Sequence, residues 1–299
     1  MNYLYLSLSP SLHIFAKVRY FLVTLYDIFI QIKKNSAVRN ILPIILSAFV
    51  VFACSNSSTQ KAESKPSQVQ AYKLEVVAEY PHDVTSYTQG LFFHDGIMYE
   101  STGQYGKSTL RKVNLQTGEA IQRQNFSKNY FVEGSVVLGE NLYVLTWMEK
   151  VAFIYDAATL KYKSARTYPR EGWGITTDGK SLIASDGSSY LYFLDDKLNP
   201  QKRLQVKIGS RPVQWLNELE YINGKIWANV YTSDEIVIID PATGYIEGVV
   251  DCRGLLPQEL RTVDTDVLNG IAFNPKDGKI YLTGKNWPKL YEIKLVSAN

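Results

Sequence analysis

In the stretch Phe131-Val-Glu-Gly-Ser-Val-Val-Leu-Gly-Glu-Asn-Leu-Tyr-Val-Leu-Thr-Trp147, a short apolar run headed by Glu133 meets a turn at Leu138–Asn141. A second apolar run follows and ends in Trp147. Read as a hairpin, the two strands put an ionisable carboxyl and an indole at the same end of a pair.

Working outward, the same plan occurs four more times. The turn glycines are Gly96, Gly139, Gly179, Gly224 and Gly278, spaced 43, 40, 45 and 54 residues apart. Three of them follow Asp and one follows Asn, dipeptides that suit tight hairpins because such turns need positive φ. An apolar run follows each glycine, and a third follows that, as in Leu110-Arg-Lys-Val and Glu235-Ile-Val-Ile-Ile. A turn bearing Asp or Asn leads most units into a fourth strand. Four antiparallel strands every ~40–45 residues is the pattern of a propeller blade. The chain is therefore expected to be all-β, a five-bladed β-propeller. Its fifth unit lacks room for a fourth strand, and the spare strand Lys73–Tyr80 is expected to join the last blade and close the ring. A β-sandwich would accommodate the strands but gives no reason for self-similarity at this period. Helical periodicity is confined to a possible piece near Leu255–Thr262, within extra length between Asp251 and Leu268.

First strands of blades line the central channel, so the residues that start them converge on one mouth. These are Gln89, Glu133, Trp173, Asn217 and Asn269, mostly beside small residues. The second strands return to that mouth and put Gly103, Trp147, Gly187, Tyr231 and Lys285 in one register, with Trp227 near the beginning of its strand. Singly, an acid at a strand start is a surface group and a tryptophan is core. Convergence makes them candidates for a small-ligand pocket with indole walls and a few polar groups.

The remaining composition narrows the function. Of 299 residues with net charge +3, residues 1–54 hold five basic side chains and one acidic, leaving 27 basic and 28 acidic beyond them. A near-neutral body gives no electrostatic case for nucleic acid. Lys33, Lys34 and Arg39 precede the apolar run Ile41–Phe52, which ends in Val51-Phe-Ala-Cys54. This reads as an export signal with a lipoprotein-like cysteine, Cys54, as the lipidation site. Residues 1–54 are thus expected to be a membrane or signal region, 55–71 a flexible Ser-, Gln- and Lys-rich tether, and 72–299 the catalytic propeller. An exported domain anchored at the cell envelope follows. With Cys54 lipidated, Cys252 is left unpaired. After the signal, His82, His94 and Cys252 are the only soft-ligand candidates, at no zinc spacing, so no metal is expected. Ser185-Asp186-Gly and Asp264-Thr-Asp266 are possible contacts to a hard cation.

Several of these stretches, in order, resemble the plant and bacterial type of glutaminyl-peptide cyclotransferase (glutamine cyclotransferase). They are Tyr-Thr-Gln-Gly-Leu at 87–91, Glu133-Gly, Gly-Trp-Gly at 172–174 and Ser-Asp-Gly at 185–187. Further on come Leu-Asn-Glu-Leu-Glu-Tyr at 216–221, Trp-Ala-Asn at 227–229, Asp-Val-Leu-Asn-Gly-Ile-Ala at 266–272 and Leu-Thr-Gly-Lys-Asn-Trp-Pro-Lys-Leu at 282–290. Beside the acid, Val132 and Ser135 depart from the family's Gly and Leu. The resemblance implies a five-bladed propeller that turns an N-terminal glutamine into pyroglutamate and ammonia, without metal or other cofactor. It implies Glu133 as the proton-transferring acid, Lys285 beside it in the catalytic set, Gln89 and Asn217 as polar contacts, and Trp147, Trp173 and Trp227 as pocket walls. The implied partner is a peptide or protein with N-terminal Gln, acted on by a monomer. The competing classes are a non-catalytic envelope propeller that binds a peptide or sugar, and a metal-dependent propeller hydrolase.

Overall fold

The structure, a computed structural model, describes residues 68–298. The export region over residues 1–54, its Cys54 and the tether up to residue 67 lie outside the described residues. The chain is all-β, and among the described residues there is no α-helix and none long and apolar enough to cross a membrane.

A long strand, β1 (Gln70–Pro81), opens it. Antiparallel meanders follow: β2 (Thr88–His94), β3 (Ile97–Thr102), β4 (Thr109–Val113) and β5 (Ala120–Asn125) form the first. The second is β6 (Val132–Leu138), β7 (Asn141–Thr146), β8 (Val151–Asp156) and β9 (Tyr162–Thr167). The third is β10 (Ile175–Thr177), β11 (Leu182–Ser185), β12 (Tyr190–Leu194) and β13 (Pro200–Gln205), followed by a small ribbon of β14 (Lys207–Ile208) and β15 (Arg211–Pro212). A fourth is β16 (Leu216–Ile222), β17 (Lys225–Val230), β18 (Glu235–Ile239) and β19 (Ile246–Asp251). The chain then runs through β20 (Leu268–Asn274), β21 (Lys279–Gly284) and β22 (Lys289–Ser297). All five turn glycines fall between the first and second strands of these blade-like sheets, each with φ between +63° and +83°.

Burial follows the residue types. The innermost strands are apolar runs packed on both faces, and β6 is buried at every residue but its last. The outer β9, Tyr-Lys-Ser-Ala-Arg-Thr, is largely exposed. The buried apolar side chains gather between successive meanders. Phe92, Tyr99, Val137 and Leu142 fill the gap between the first and second, and Leu145, Ile175 and Leu182 the next. Ile183, Leu219 and Ile226 fill the third gap and Ile236, Leu268 and Leu282 the fourth. Leu91, Met98, Ala272 and Tyr281 join the β20–β22 sheet back to the first meander.

β1 pairs antiparallel with β22 from Tyr72↔Ser297 to Pro81↔Lys289, as the spare strand was expected to do. It also pairs in parallel with β19, from Gln70↔Gly248 to Lys73↔Asp251, which merges two units into one eight-stranded sheet. Gln70 and Ala71, read from sequence as the end of the tether, are thus strand residues because their backbones find partners on β19. The helical piece anticipated near Leu255–Thr262 is only a three-residue 3-10 turn, Gln258–Leu260. Pro257, which has no amide hydrogen to offer, precedes it, and Leu255 and Leu256 turn into the core.

Candidate active site

The innermost strands β2, β6, β16 and β20 all slip register against their partners near their first residues. The slips fall between Thr88 and Gly90, Val132 and Ser135, Leu216 and Leu219, and Leu268 and Ile271. Gln89, Glu133, Asn217 and Asn269 occupy these bulges, and a bulge re-aims the side chain it carries. In the third unit the equivalent place is Gly172-Trp173-Gly174, just ahead of β10. Close approach of the strands explains the small neighbours: a Cβ on Gly134 would lie 2.7 Å from the Trp173 carbonyl oxygen. The Gly134 amide donates to that same oxygen at 2.8 Å, tying the residue after Glu133 to the third unit.

Glu133 is 5% exposed. Gln89 Nε2 donates to its Oε1 at 3.0 Å, and Asn269 Nδ2 donates to Gln89 Oε1 at 3.2 Å and to the Thr88 carbonyl at 2.9 Å. Burial pushes the Glu133 carboxyl well above the usual carboxylate range. The Lys285 charge opposes that rise, and Glu149 and Glu171 add to it.

Lys285 is buried too, with its Nζ 4.7 Å from the ring centre of Tyr87 and 5.1 Å from that of Tyr231. An ammonium held between two aromatic faces keeps part of the stabilisation lost with its water. Burial lowers its pKa, while Glu133 and Asp266 pull the other way. Tyr87 is fixed by its hydroxyl, which donates to Asp266 Oδ2 at 2.8 Å.

From Tyr87 the aromatic wall continues through Phe131, 6.2 Å away between ring centres, to Trp147 at a further 5.6 Å. Glu171 Oε2 accepts both the Trp147 indole N–H at 2.9 Å and the Trp173 indole N–H at 3.2 Å. Trp173 lies 5.6 Å from Tyr231, which returns the wall to Lys285. The site therefore gathers Glu133, Lys285, Gln89, Trp147 and Trp173. Asn217 stands at the matching bulge on β16, its Oδ1 buried and without a partner among the described residues.

Trp227 does not belong to this wall. It sits inside β17, opposite Glu220 and Ile238, in the apolar core with Leu268, Ile271 and Trp287. Position within the strand decides this: the walls come from strand ends, whereas Trp227 lies where neighbouring sheets pack. Phe131, Glu149 and Glu171 escaped the sequence reading. Glu171 was open to view as the acid two residues before Trp173, and Tyr231 as the residue in register with Trp147 and Lys285.

Below the mouth, Glu218 accepts the Leu91 amide at 3.3 Å and the Ile271 amide at 2.9 Å, and Glu220 accepts the Phe273 amide at 3.0 Å. These carboxyls give partners to innermost-strand amides that have none in a ladder. Burial pushes Glu218 well up and Glu220 to about 8. The histidines lie elsewhere: His82 pairs with Glu100 at 3.0 Å, and His94 stands 3.5 Å from Asp95. Among the described residues no three His, Cys, Asp or Glu side chains group as metal ligands. Of the acids considered for a hard cation, Asp186 accepts from Ser188, and Asp266 from Tyr87 and Val267.

Comparison with known proteins points to one family. A family model described as glutamine cyclotransferase matches residues 46–295. A curated glutaminyl-peptide cyclotransferase of Arabidopsis thaliana is 44% identical over 234 residues, 76% of this chain and 72% of that protein. The crystal structure of a Myxococcus xanthus glutaminyl cyclase superposes with a TM-score of 0.72 at 36% identity, over 78% of this chain and all of that one. With the match running through every strand that builds the pocket, the chain belongs to the glutamine cyclotransferase family.

Proposed function

We propose that this enzyme converts the N-terminal glutamine of peptides and proteins into pyroglutamate with release of ammonia, and that Glu133 is its general acid and base. The activity is that of a glutaminyl-peptide cyclotransferase, consistent with the family and its relatives. The observation that carries the assignment is one buried carboxyl, Glu133, in an aromatic enclosure with one buried ammonium, Lys285.

The substrate supplies its own nucleophile. Its α-amine nitrogen attacks the side-chain amide carbon, forming the ring C–N bond, and the tetrahedral intermediate collapses as the bond to the amide nitrogen breaks. The Glu133 carboxylate takes the proton that the amine must lose and returns it to the departing nitrogen, so ammonia leaves and the carboxylate is regenerated. Such positioned proton transfer contributes ~10²–10⁴-fold. The high proton affinity that burial gives Glu133 suits the step, because a carboxylate of ordinary basicity accepts an amine proton poorly. Lys285 stands nearby to oppose charge on the tetrahedral oxygen. The indoles of Trp147 and Trp173 hold the substrate chain folded, and Asn217 Oδ1 is an acceptor available to its amide or amine.

The architecture in this reading is a five-bladed propeller whose ring is closed by β1 as the outer strand of the β20–β22 sheet. The apolar clusters between successive meanders, the last joining β20–β22 to the first, support it. The same proposal covers a monomeric domain displayed at the cell envelope through residues 1–54, lipidated at Cys54, and chemistry that runs without metal. Ammonia release from a Gln-initiated peptide, measured for the wild type and for Glu133→Gln with and without chelator, is the test. Turnover that survives chelation and falls at least about a hundred-fold in the folded variant supports the assignment. Full activity in Glu133→Gln removes Glu133 from the reaction, and ligand retention without ammonia returns the non-catalytic reading.

A further inference from the structure

Among the described residues, Glu171 is the one acid whose single oxygen receives two indole N–H groups, from Trp147 on the second meander and Trp173 ahead of the third. These two residues come from different sheets, and no ladder joins their side chains. The backbone around Glu171 is itself bolted down: the Tyr168 amide donates to Lys150 at 2.7 Å and the Gly172 amide to Thr146 at 3.0 Å. Gly172 cannot be larger, since a Cβ there would come within 2.6 Å of both Leu145 Cβ and the Thr146 carbonyl oxygen. The Trp173 indole is packed as closely on its far side, where a Cβ on Gly187 would lie 2.7 Å from the ring. Through the Gly134 amide on the Trp173 carbonyl, the clamped segment also touches the residue that follows Glu133.

We propose that Glu171 is a positioning residue of the cyclisation site, a charged clamp that locks the indoles of Trp147 and Trp173 into one wall and holds a fixed negative charge beside Glu133. The inference rests on the reading of Glu133 as the proton-transferring group. Bonds from two N–H donors to one carboxylate are of the charge-assisted kind, stronger than neutral pairs. Without the acceptor, each indole loses its partner and is free to turn, and the enclosure loosens along the wall that Trp147 and Trp173 form. The clamp also acts through the field. The groups facing Glu133 are Gln89, Tyr87, Tyr105, Glu149, Glu171 and Lys285, with Asp266 behind Lys285. Glu149 spends its oxygens on the Tyr105 hydroxyl and the Phe131 amide, so it braces the rim and not the indoles.

Two substitutions separate the clamp from a bystander. Glu171→Ala removes acceptor and charge, and its kcat/KM is expected to fall about ten- to a hundred-fold, the worth of hydrogen bonds to a charged group. Glu171→Gln keeps a carbonyl for the indoles but removes the charge. It is expected to stay within about ten-fold of wild type while the acidic limb of its pH profile moves to lower pH, because Glu133 loses a neighbour that favours its protonated form. In a Trp147→Phe, Trp173→Phe background, which has no N–H to clamp, Glu171→Ala should cost several-fold less than in the wild type. Thermal melts of all variants keep misfolding visible, and if Glu171→Ala melts early the Gln variant's pH profile decides. A Glu171→Ala enzyme at wild-type kcat/KM, or a Glu171→Gln profile unmoved, overturns the clamp. A wild-type enzyme that releases no ammonia overturns the cyclisation reading instead.

Discussion

Gln89 Nε2 donates to Glu133 Oε1 at 3.0 Å, and the amide is held that way round because Asn269 Nδ2 donates to its oxygen at 3.2 Å. A chain of two amides thus favours the charged form of an acid that burial drives toward the neutral one.

The consequence is a direction. Gln89→Leu should raise the proton affinity of Glu133 further, move the acidic limb of kcat/KM to higher pH, and lower activity near neutrality about ten-fold. A pH–rate series on a Gln-initiated peptide reads all three, and an unmoved limb would mean that Gln89 does not act on Glu133.

Lys285 invites a charge-only change. Lys285→Met keeps most of the stem between Tyr87 and Tyr231 but loses the ammonium, and kcat should fall by about a hundred-fold with the fold intact. Because Lys285 is the charge that opposes the rise in Glu133, the acidic limb should also shift upward. Steady-state kinetics with circular dichroism as a folding check settles the matter.

The fold was legible because it repeats. Five glycines at a blade-like period located the hairpins, and the polar residue at the start of each innermost strand located Gln89, Glu133, Asn217 and Asn269. The register slips that aim those side chains left only a partial trace, the glycine that follows Gln89, Glu133 and Asn269 but not Asn217. Glu171 and Phe131 stand two residues ahead of Trp173 and Glu133, places that alignment of the units reached without giving them a role, and Asp266 was read only as a possible cation contact. Trp227 failed for the opposite reason: an aromatic inside a strand and one at a strand end look alike until the packing of the sheets is known. The parallel pairing of β1 with β19 was equally hidden, because it depends on how two sheets lie side by side.

The two kinds of tryptophan should therefore separate in measurement. Trp227→Ala should cost about 3–5 kcal/mol of stability, as for other large core truncations. Trp147→Phe should leave the melting temperature within a few degrees of wild type and raise KM. Paired melts and kinetics would show the two effects falling on different residues.

Stability should peak in mildly acidic solution. Glu218 and Glu220 are raised in the folded protein, Glu220 to about 8, so between their unfolded value near 4.5 and their folded ones the native state binds the extra protons. Stability then declines as pH rises, by on the order of 1 kcal/mol per pH unit for each such group. His82 is also raised, by the Glu100 charge against the opposing effect of burial, and what it contributes is present below 6.5 and lost as pH climbs through its folded value. Glu100 is lowered by His82 and Arg111 despite burial, so its contribution disappears as pH falls below the usual carboxylate range. Melting temperatures from pH 4 to 9 should rise and then fall, and Glu220→Gln should flatten the alkaline side.

β1 joins residues far apart in synthesis. Tyr72 pairs with Ser297 on β22 and Lys73 with Asp251 on β19, so the first described strand waits for two late strands before its own hydrogen bonds can form. Contacts of such sequence separation delay folding, because the chain must close a very long loop before they return anything. On a ribosome, the meanders can form in turn, but β1 stays an unpaired edge until β19 has emerged, and most of its length until β22 has. The interval in which that edge is open is when this chain is most exposed to wrong partners.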